Sequence, residues 1–406
     1  MATPGQFRRF LAIAGGATLC GALACAALVV AIDPYRLYCM PERPGLNADK
    51  TQPQRYQYEI KTANARAAHA ELLILGNSRA EIGLNPDDPL VAATGLSPYN
   101  LALAGTRLHT AREQLGALAA AGQHPKHVIV GVDFLDFPVD PAAPAALAPP
   151  ARQSGLLAEL PWRFDTLFSV DSVIDAVKTV RMQGAADALS MSDKGFNPLR
   201  EYRQLAREEG YYPLFRQRAA DYAKRFERMP GALVSNAGHS SREWDALGGV
   251  LEQAVRAKAR IDLVIYPYHA QLLFLLEKAG KRALFDAWKA LLAERLATLQ
   301  RDHPTARVAL WDFSGYGARQ CEAIPAKGDR NTNTEWYWEG GHFKEALGHL
   351  MFARMLAPVG AVGGAPSPEG ETFGFALTAA NLDANNARMA RERAACVAAN
   401  PALFAQ

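Results

Sequence analysis

Ser78 stands in Leu72-Leu-Ile-Leu-Gly-Asn-Ser78-Arg79, an apolar run of strand type that enters a tight turn and delivers one hydroxyl where a strand passes to a helix. That is where a nucleophile sits. Near the other end of the chain, Trp338-Glu339-Gly-Gly-His342-Phe343 sets a carboxylate three residues before a histidine, just ahead of an apolar helical stretch. Serine early, with acid and histidine late, is an acyl-transfer layout: the histidine takes the hydroxyl proton, and the carboxylate fixes the imidazole tautomer and stabilises its charged form.

The elements that must position these groups are legible as periodicities. Short, continuously apolar runs at residues 72–75, 99–102, 127–132, 261–266 and 307–311 read as strands, and helical patterns lie between them at 110–121, 242–259, 278–300 and 344–356. The second helix is entered by the capping-box spacing Ser240 to Glu243. Apolar strands alternating with helices predict an α/β fold, a three-layer sandwich around a central, mainly parallel sheet of flavodoxin-like type. Its ligand site lies at the carboxyl ends of the strands. There the chain places Ser78 and Arg79 after the first strand, Asn100 and Gly105 at the second and Asp133 at the third. Tyr266 and His269 follow the fourth, Asp312 ends the fifth, and the Glu339/His342 pair comes in the next loop.

Over roughly residues 70–357 these residues resemble the SGNH, or GDSL-like, hydrolase superfamily. The resemblance implies Ser78 as nucleophile, His342 as base with Glu339 in the acid position, and backbone donors from Ser78 and Gly105 around an oxyanion. Asn77 or Asn100 is expected to replace the family's asparagine, because that block reads Gly131-Val-Asp133-Phe134 here. An ionised carboxylate opposes an oxyanion, so Asp133 is expected to anchor Arg79 or a nearby backbone amide. The Gly-Asn-Ser-Arg turn, the late Gly-Gly-His-Phe and an Asp33-Pro-Tyr after an N-terminal apolar segment are similar to anchored SGNH-like proteins of bacterial surface-polymer acylation. Those work beside a membrane-bound O-acyltransferase. The resemblance implies an extracytoplasmic serine esterase or O-acyltransferase acting on acetyl groups of an exopolysaccharide or other glycopolymer. An inactive SGNH-like scaffold that binds polymer or the acyltransferase is the alternative.

The remaining features set the context. Residues 10–32 are uncharged and almost wholly apolar, long enough to cross a bilayer, and follow Arg8 and Arg9. They predict a single-pass signal anchor in an inner membrane with residues 1–9 cytoplasmic and the main domain in the periplasm; a cleaved signal peptide is the rival reading. The net charge of +3 includes both arginines, leaving a near-neutral remainder with no footprint for nucleic acid. No Cys/His cluster has zinc-ligand spacing, so neither metal nor cofactor is expected. Of the cysteines beyond the apolar run, Cys321 and Cys396 are the expected disulfide, with Cys39 as an alternative partner. Residues 33–70 form a membrane-proximal approach. An insertion over about 137–240 interrupts the 71–357 domain, with a Pro/Ala-rich strip at 138–161, an amphipathic helix around 164–180 and an aromatic-basic segment from 211 to 228. It is placed to act as a lid or substrate platform. Within it Phe215, Tyr222 and Phe226 read as the buried stripe of a helix. A linker at 357–368 leads to a terminal helix over 377–398.

Overall fold

Leu72, Leu73, Ile74 and Leu75 have no accessible surface, as a strand that is apolar at successive positions requires when it lies inside a parallel sheet. In the computed structural model, which describes residues 3–142, 144, 152, 155–356 and 373–405, this strand is β1 (Leu72–Leu75). Parallel to it run β2 (Pro98–Asn100), β3 (His127–Val132), β4 (Arg260–Ile265) and β5 (Val308–Asp312). A two-stranded hairpin, β6 (Tyr337–Glu339) and β7 (His342–Phe343), stands apart from this sheet. Strand β8 (Phe375–Ala376) closes the edge antiparallel to β5. The fold is therefore α/β, with one six-stranded, mostly parallel sheet in the order β8-β5-β4-β3-β1-β2. From β1 the chain steps to β2 on one side and then crosses to β3 on the other. That reversal opens the crevice in which such sheets bind ligands.

The helices used below are α1 (Pro4–Ile32), α2 (Gln57–Ala67), α3 (Ser78–Gly83), α4 (Leu108–Ala120), α5 (Leu156–Phe168), α6 (Val170–Arg181), α7 (Tyr211–Arg228), α8 (Arg242–Arg256), α9 (Ala270–Lys278), α10 (Arg282–Asp302), α11 (Glu345–Met355) and α12 (Leu382–Ala399). Helix α1 is long and apolar enough to cross a membrane. It begins before the apolar run, because Thr3 caps it and Pro4 occupies its first turn.

Several boundaries differ from the sequence reading for local reasons. The capping box at Ser240 does not form: Ser241 is the N-cap of α8, and the Glu243 carboxylate accepts from the Leu108 N–H at 2.9 Å, tying α8 to the start of α4. The helix expected over 278–300 is interrupted by Gly280, which takes a left-handed conformation (φ +69°) and separates α9 from α10. The apolar stretch 164–180 is two helices, because Ser169 accepts from the Ser172 N–H and caps α6. The strip read as irregular at 138–161 already contains the first turns of α5, with Pro161 inside the helix; residues 143, 145–151, 153 and 154 of it lie outside the described residues, as does the linker at 357–368. The terminal helix starts only at Leu382 because Phe375 and Ala376 extend the sheet.

The C-terminal segment is tied to the core by more than β8. Cys321 and Cys396 form a disulfide with Cα atoms 5.8 Å apart, and Cys39 is a free, exposed thiol. Asn385 and Lys289 both donate to the buried Asp312 carboxylate, at 2.7 and 2.9 Å. Arg388 donates to the Ser314 carbonyl at 3.1 Å. These charge-assisted bonds satisfy a carboxylate that would otherwise be costly to bury.

Candidate active site

The turn after β1 is built by three consecutive residues. Gly76 has φ +147°, and a Cβ there would stand 2.4 Å from the Tyr266 hydroxyl, so no other residue fits without displacing Tyr266. Asn77 is the N-cap of α3, its side-chain oxygen accepting from the Arg79 N–H at 3.1 Å. Ser78 opens the helix and stays partly exposed while Arg79 beside it is buried.

The β6–β7 hairpin supplies the other two groups. Glu339 and His342 are cross-strand partners, which brings their side chains face to face. The His342 Nδ1–H donates to Glu339 Oε1, since an ionised carboxylate only accepts. That leaves Nε2 as the acceptor for the Ser78 hydroxyl, 2.8 Å from Oγ. The other Glu339 oxygen accepts from the Gly341 N–H at 2.6 Å and pairs with Arg218 Nε at 2.9 Å. Burial works to raise the Glu339 pKa, but His342, Arg218 and the Gly341 amide prevail and hold it below the ordinary carboxylate range. Serine, imidazole and ionised carboxylate thus form one hydrogen-bonded chain, able to move a proton from Ser78 to His342 while stabilising the imidazolium.

Beneath the serine lies a second, closed network. Asp133 pairs with Arg79, accepts from the Tyr268 hydroxyl at 2.8 Å and from the Asn77 side-chain amide at 3.0 Å, and caps its own turn through the Leu135 N–H at 3.3 Å. Burial opposes its ionisation, yet Arg79, the Tyr268 hydroxyl, Arg225 and the Leu135 amide keep its pKa below the usual value. Asp133 anchors both Arg79 and the backbone amide of Leu135, the two partners expected of it. A second Arg79 nitrogen, Nη2, donates to the Tyr222 hydroxyl on α7.

Four expected roles change. The Asn77 side chain is occupied on both ends, by Asp133 and by the Arg79 amide, and its own N–H faces the Tyr266 hydroxyl, so it supplies no donor to an oxyanion. Asn100 is fully buried and donates to the Ala80 and Leu84 carbonyls, both at 2.9 Å; it holds down the C-terminal end of α3 instead of lining the site. Tyr266 is buried against Gly76 and Gly131, where a Cβ on Gly131 would fall 1.9 Å from its hydroxyl, and it acts as a spacer between β1 and β3. His269 is buried with both ring nitrogens used: Nδ1 caps α9 by accepting from the Gln271 N–H, and Nε2 donates to the Glu322 carbonyl. Burial pushes its pKa down to about 4, so it is neutral and structural.

Two backbone N–H groups remain as candidate oxyanion donors. That of Ser78 is one of the orphan donors at the head of α3. Gly105 sits two residues past Leu103, whose N–H bonds the Gly76 carbonyl at 3.1 Å, so the two turns leave neighbouring strands side by side. Gly105 is exposed and left-handed (φ +71°). No family model matches the chain, and no curated protein does.

Several positioning residues escaped the sequence reading. Arg218 and Tyr222 lie one turn apart on α7 and meet Glu339 and Arg79 respectively, so the insertion completes both networks. Tyr222 lies on the buried stripe with Phe215 and Phe226, as read, but that spacing gives no sign of its partner or of Arg218's. Lys61 and Glu81 form a buried pair at 3.1 Å, and Glu81 also accepts from the Ala104 N–H at 3.1 Å, fastening the turn before Gly105 to α3.

Proposed function

We propose that this protein is a membrane-anchored, extracytoplasmic serine esterase or O-acyltransferase of SGNH type, its domain a three-layer sandwich in the periplasm and its substrate the O-acyl groups of a surface glycopolymer. The observation that carries the reading is the Ser78–His342–Glu339 chain, assembled from groups 264 residues apart at the point where strand order reverses. In the reaction His342 Nε2 takes the Ser78 proton as Oγ attacks the ester carbonyl, and Glu339 holds the resulting imidazolium. The Ser78 and Gly105 amides receive the oxyanion; its collapse breaks the ester C–O bond as His342 gives its proton to the departing alcohol, and His342 then deprotonates water or a polymer hydroxyl that takes the acyl group from Ser78 and returns the proton to Oγ. The strand order 2-1-3-4-5 of the parallel set supports the SGNH-type sandwich. The apolar α1 supports the anchor, and a membrane-bound O-acyltransferase is the fitting acyl donor.

A second reading, an inactive scaffold, is favoured by one specific feature. The position that would offer a side-chain amide to the oxyanion holds Asp133, ionised and engaged with Arg79. Loss of one such donor typically lowers the rate by about 10² to 10³, so the enzyme reading predicts slow turnover of a simple ester. Hydrolysis of nitrophenyl acetate by the full-length protein decides between them. The enzyme reading predicts turnover that Ser78→Ala and His342→Ala each abolish, with the double variant little worse than either, since members of such a unit are far from additive. Equal rates for wild type and a folded Ser78→Ala leave the scaffold.

A further inference from the structure

Helices α5 and α6 turn large apolar side chains outward. On α5, Leu157, Leu160 and Phe164 lie along one stripe and are 83%, 54% and 62% exposed; on α6, Val170, Ile174 and Val177 form a second stripe at i, i+4 and i+7, with Val170 75% exposed. Several polar groups point the other way, toward the protein, while Asp171, Lys178 and Arg181 of α6 stay exposed. Glu159 pairs with Arg66 on α2 at 3.2 Å, Asp165 accepts from the Tyr56 hydroxyl, and Asp175 accepts from the buried Tyr35 hydroxyl at 2.8 Å. A water-facing helix pair has the opposite arrangement.

The same two helices pack on the end of α1. Ala176 with Val173 and Leu167 covers Val29 and Ile32, and of all α1 only Ala26, Val29 and Ile32 are buried. At about 1.5 Å of rise per residue these positions fall within roughly the last 9 Å of the apolar span. That matches the roughly 5–10 Å to which interfacial amphipathic helices sink into the headgroup and acyl boundary. The exposed stripes are thus continuous with the exposed surface of a helix built to span a bilayer.

We propose that the α5–α6 hairpin is a second membrane contact, its outward apolar stripes lying in the leaflet from which α1 emerges. Lys178 and Arg181, in the last turn of α6, are placed for anionic headgroups. Because the hairpin is also bonded to α2 and Tyr35, it fixes the tilt of the globular domain on the bilayer and holds it close to the surface. This rests on α1 crossing the membrane and is independent of the chemistry of Ser78.

The test uses full-length protein in vesicles of phosphatidylcholine and phosphatidylglycerol, with Cys20, Cys25 and Cys39 replaced by alanine. A polarity-sensitive fluorophore is placed on single cysteines at Phe164 and Val177, with Leu19→Cys reporting α1 and Glu294→Cys, exposed on α10, reporting water. The Phe164 and Val177 labels should show blue-shifted emission, protection from an aqueous quencher, and stronger quenching by a shallow acyl spin label than by a deep one. The Leu19 label should show the reverse depth preference. Hairpin labels as open to the aqueous quencher as that at Glu294, while Leu19 is lipid-quenched, overturn the proposal and leave the anchor standing. Water access at Leu19 removes the anchor and the proposal with it. Protection without lipid quenching that disappears when protein is diluted into excess lipid overturns it in favour of contact between copies.

Discussion

At the scale of single residues, the site separates two carboxylates by what they touch. Glu339 serves the imidazole, and Asp133 serves a buried guanidinium. Glu339 has an arginine, a backbone amide and His342 around it, so it can remain charged while the imidazole gains a proton. Asp133 is the counter-charge of the buried Arg79. Replacing it with asparagine therefore removes an anchor. Asp133→Asn should lower stability by about 3–5 kcal/mol, the usual cost of leaving one member of a buried ion pair uncompensated, and activity should fall with it. Chemical denaturation with an ester assay on the folded fraction checks this. A variant as stable and at least as active as wild type would show instead that the position tolerates an amide and that Arg79 finds another partner.

At the scale of elements, the site is held by segments that reach it from far away in sequence. Helix α3 carries Ser78, and the turn after β2 carries Gly105; the buried Lys61–Glu81 pair joins them through the Ala104 amide and the Ala102 carbonyl. Glu81→Gln keeps an acceptor for Ala104 but strands the Lys61 ammonium, and should cost about 3–5 kcal/mol. Adding Lys61→Met should recover part of that loss, since neighbours in one network are not additive. A double variant less stable than the sum of the single ones, measured by denaturation, would contradict this coupling. The strands of the parallel set were readable because four to six consecutive apolar residues between turn signals have few alternatives, whereas the β6–β7 hairpin, read as a loop, was not, since strands of three and two residues carry no period. The short edge strand β8 was not readable, since two residues carry no period. Nor were the partners of Arg218, Lys61 and Asn100, because each contact spans a distance in sequence that only the packed fold closes. Asn100 looked functional for a physical reason: a polar residue at a strand's carboxyl end is as well suited to tying down a neighbouring helix as to lining a site.

At the scale of the whole molecule, buried titratable groups link the fold to pH. His269 is held neutral by burial, with a pKa near 4 against an ordinary 6.5, although the Glu322 carbonyl and Glu339 pull the other way. The unfolded chain binds a proton below about 6.5, and the folded one does so only near 4. Stability therefore falls as pH drops through that window, by about 3 kcal/mol in all. His269→Asn retains an N-cap for α9 and should flatten this part of the profile in thermal melts; an unchanged slope between pH 6.5 and 4 would assign the dependence to other groups. The proposed function comes down to a serine activated by His342 and Glu339. A fluorophosphonate probe, with the adduct mapped by mass spectrometry on full-length protein, tests that claim most directly. A single adduct is expected on Ser78, and it should disappear in a folded His342→Ala variant. An unlabelled wild type, or the same labelling in His342→Ala, would contradict it.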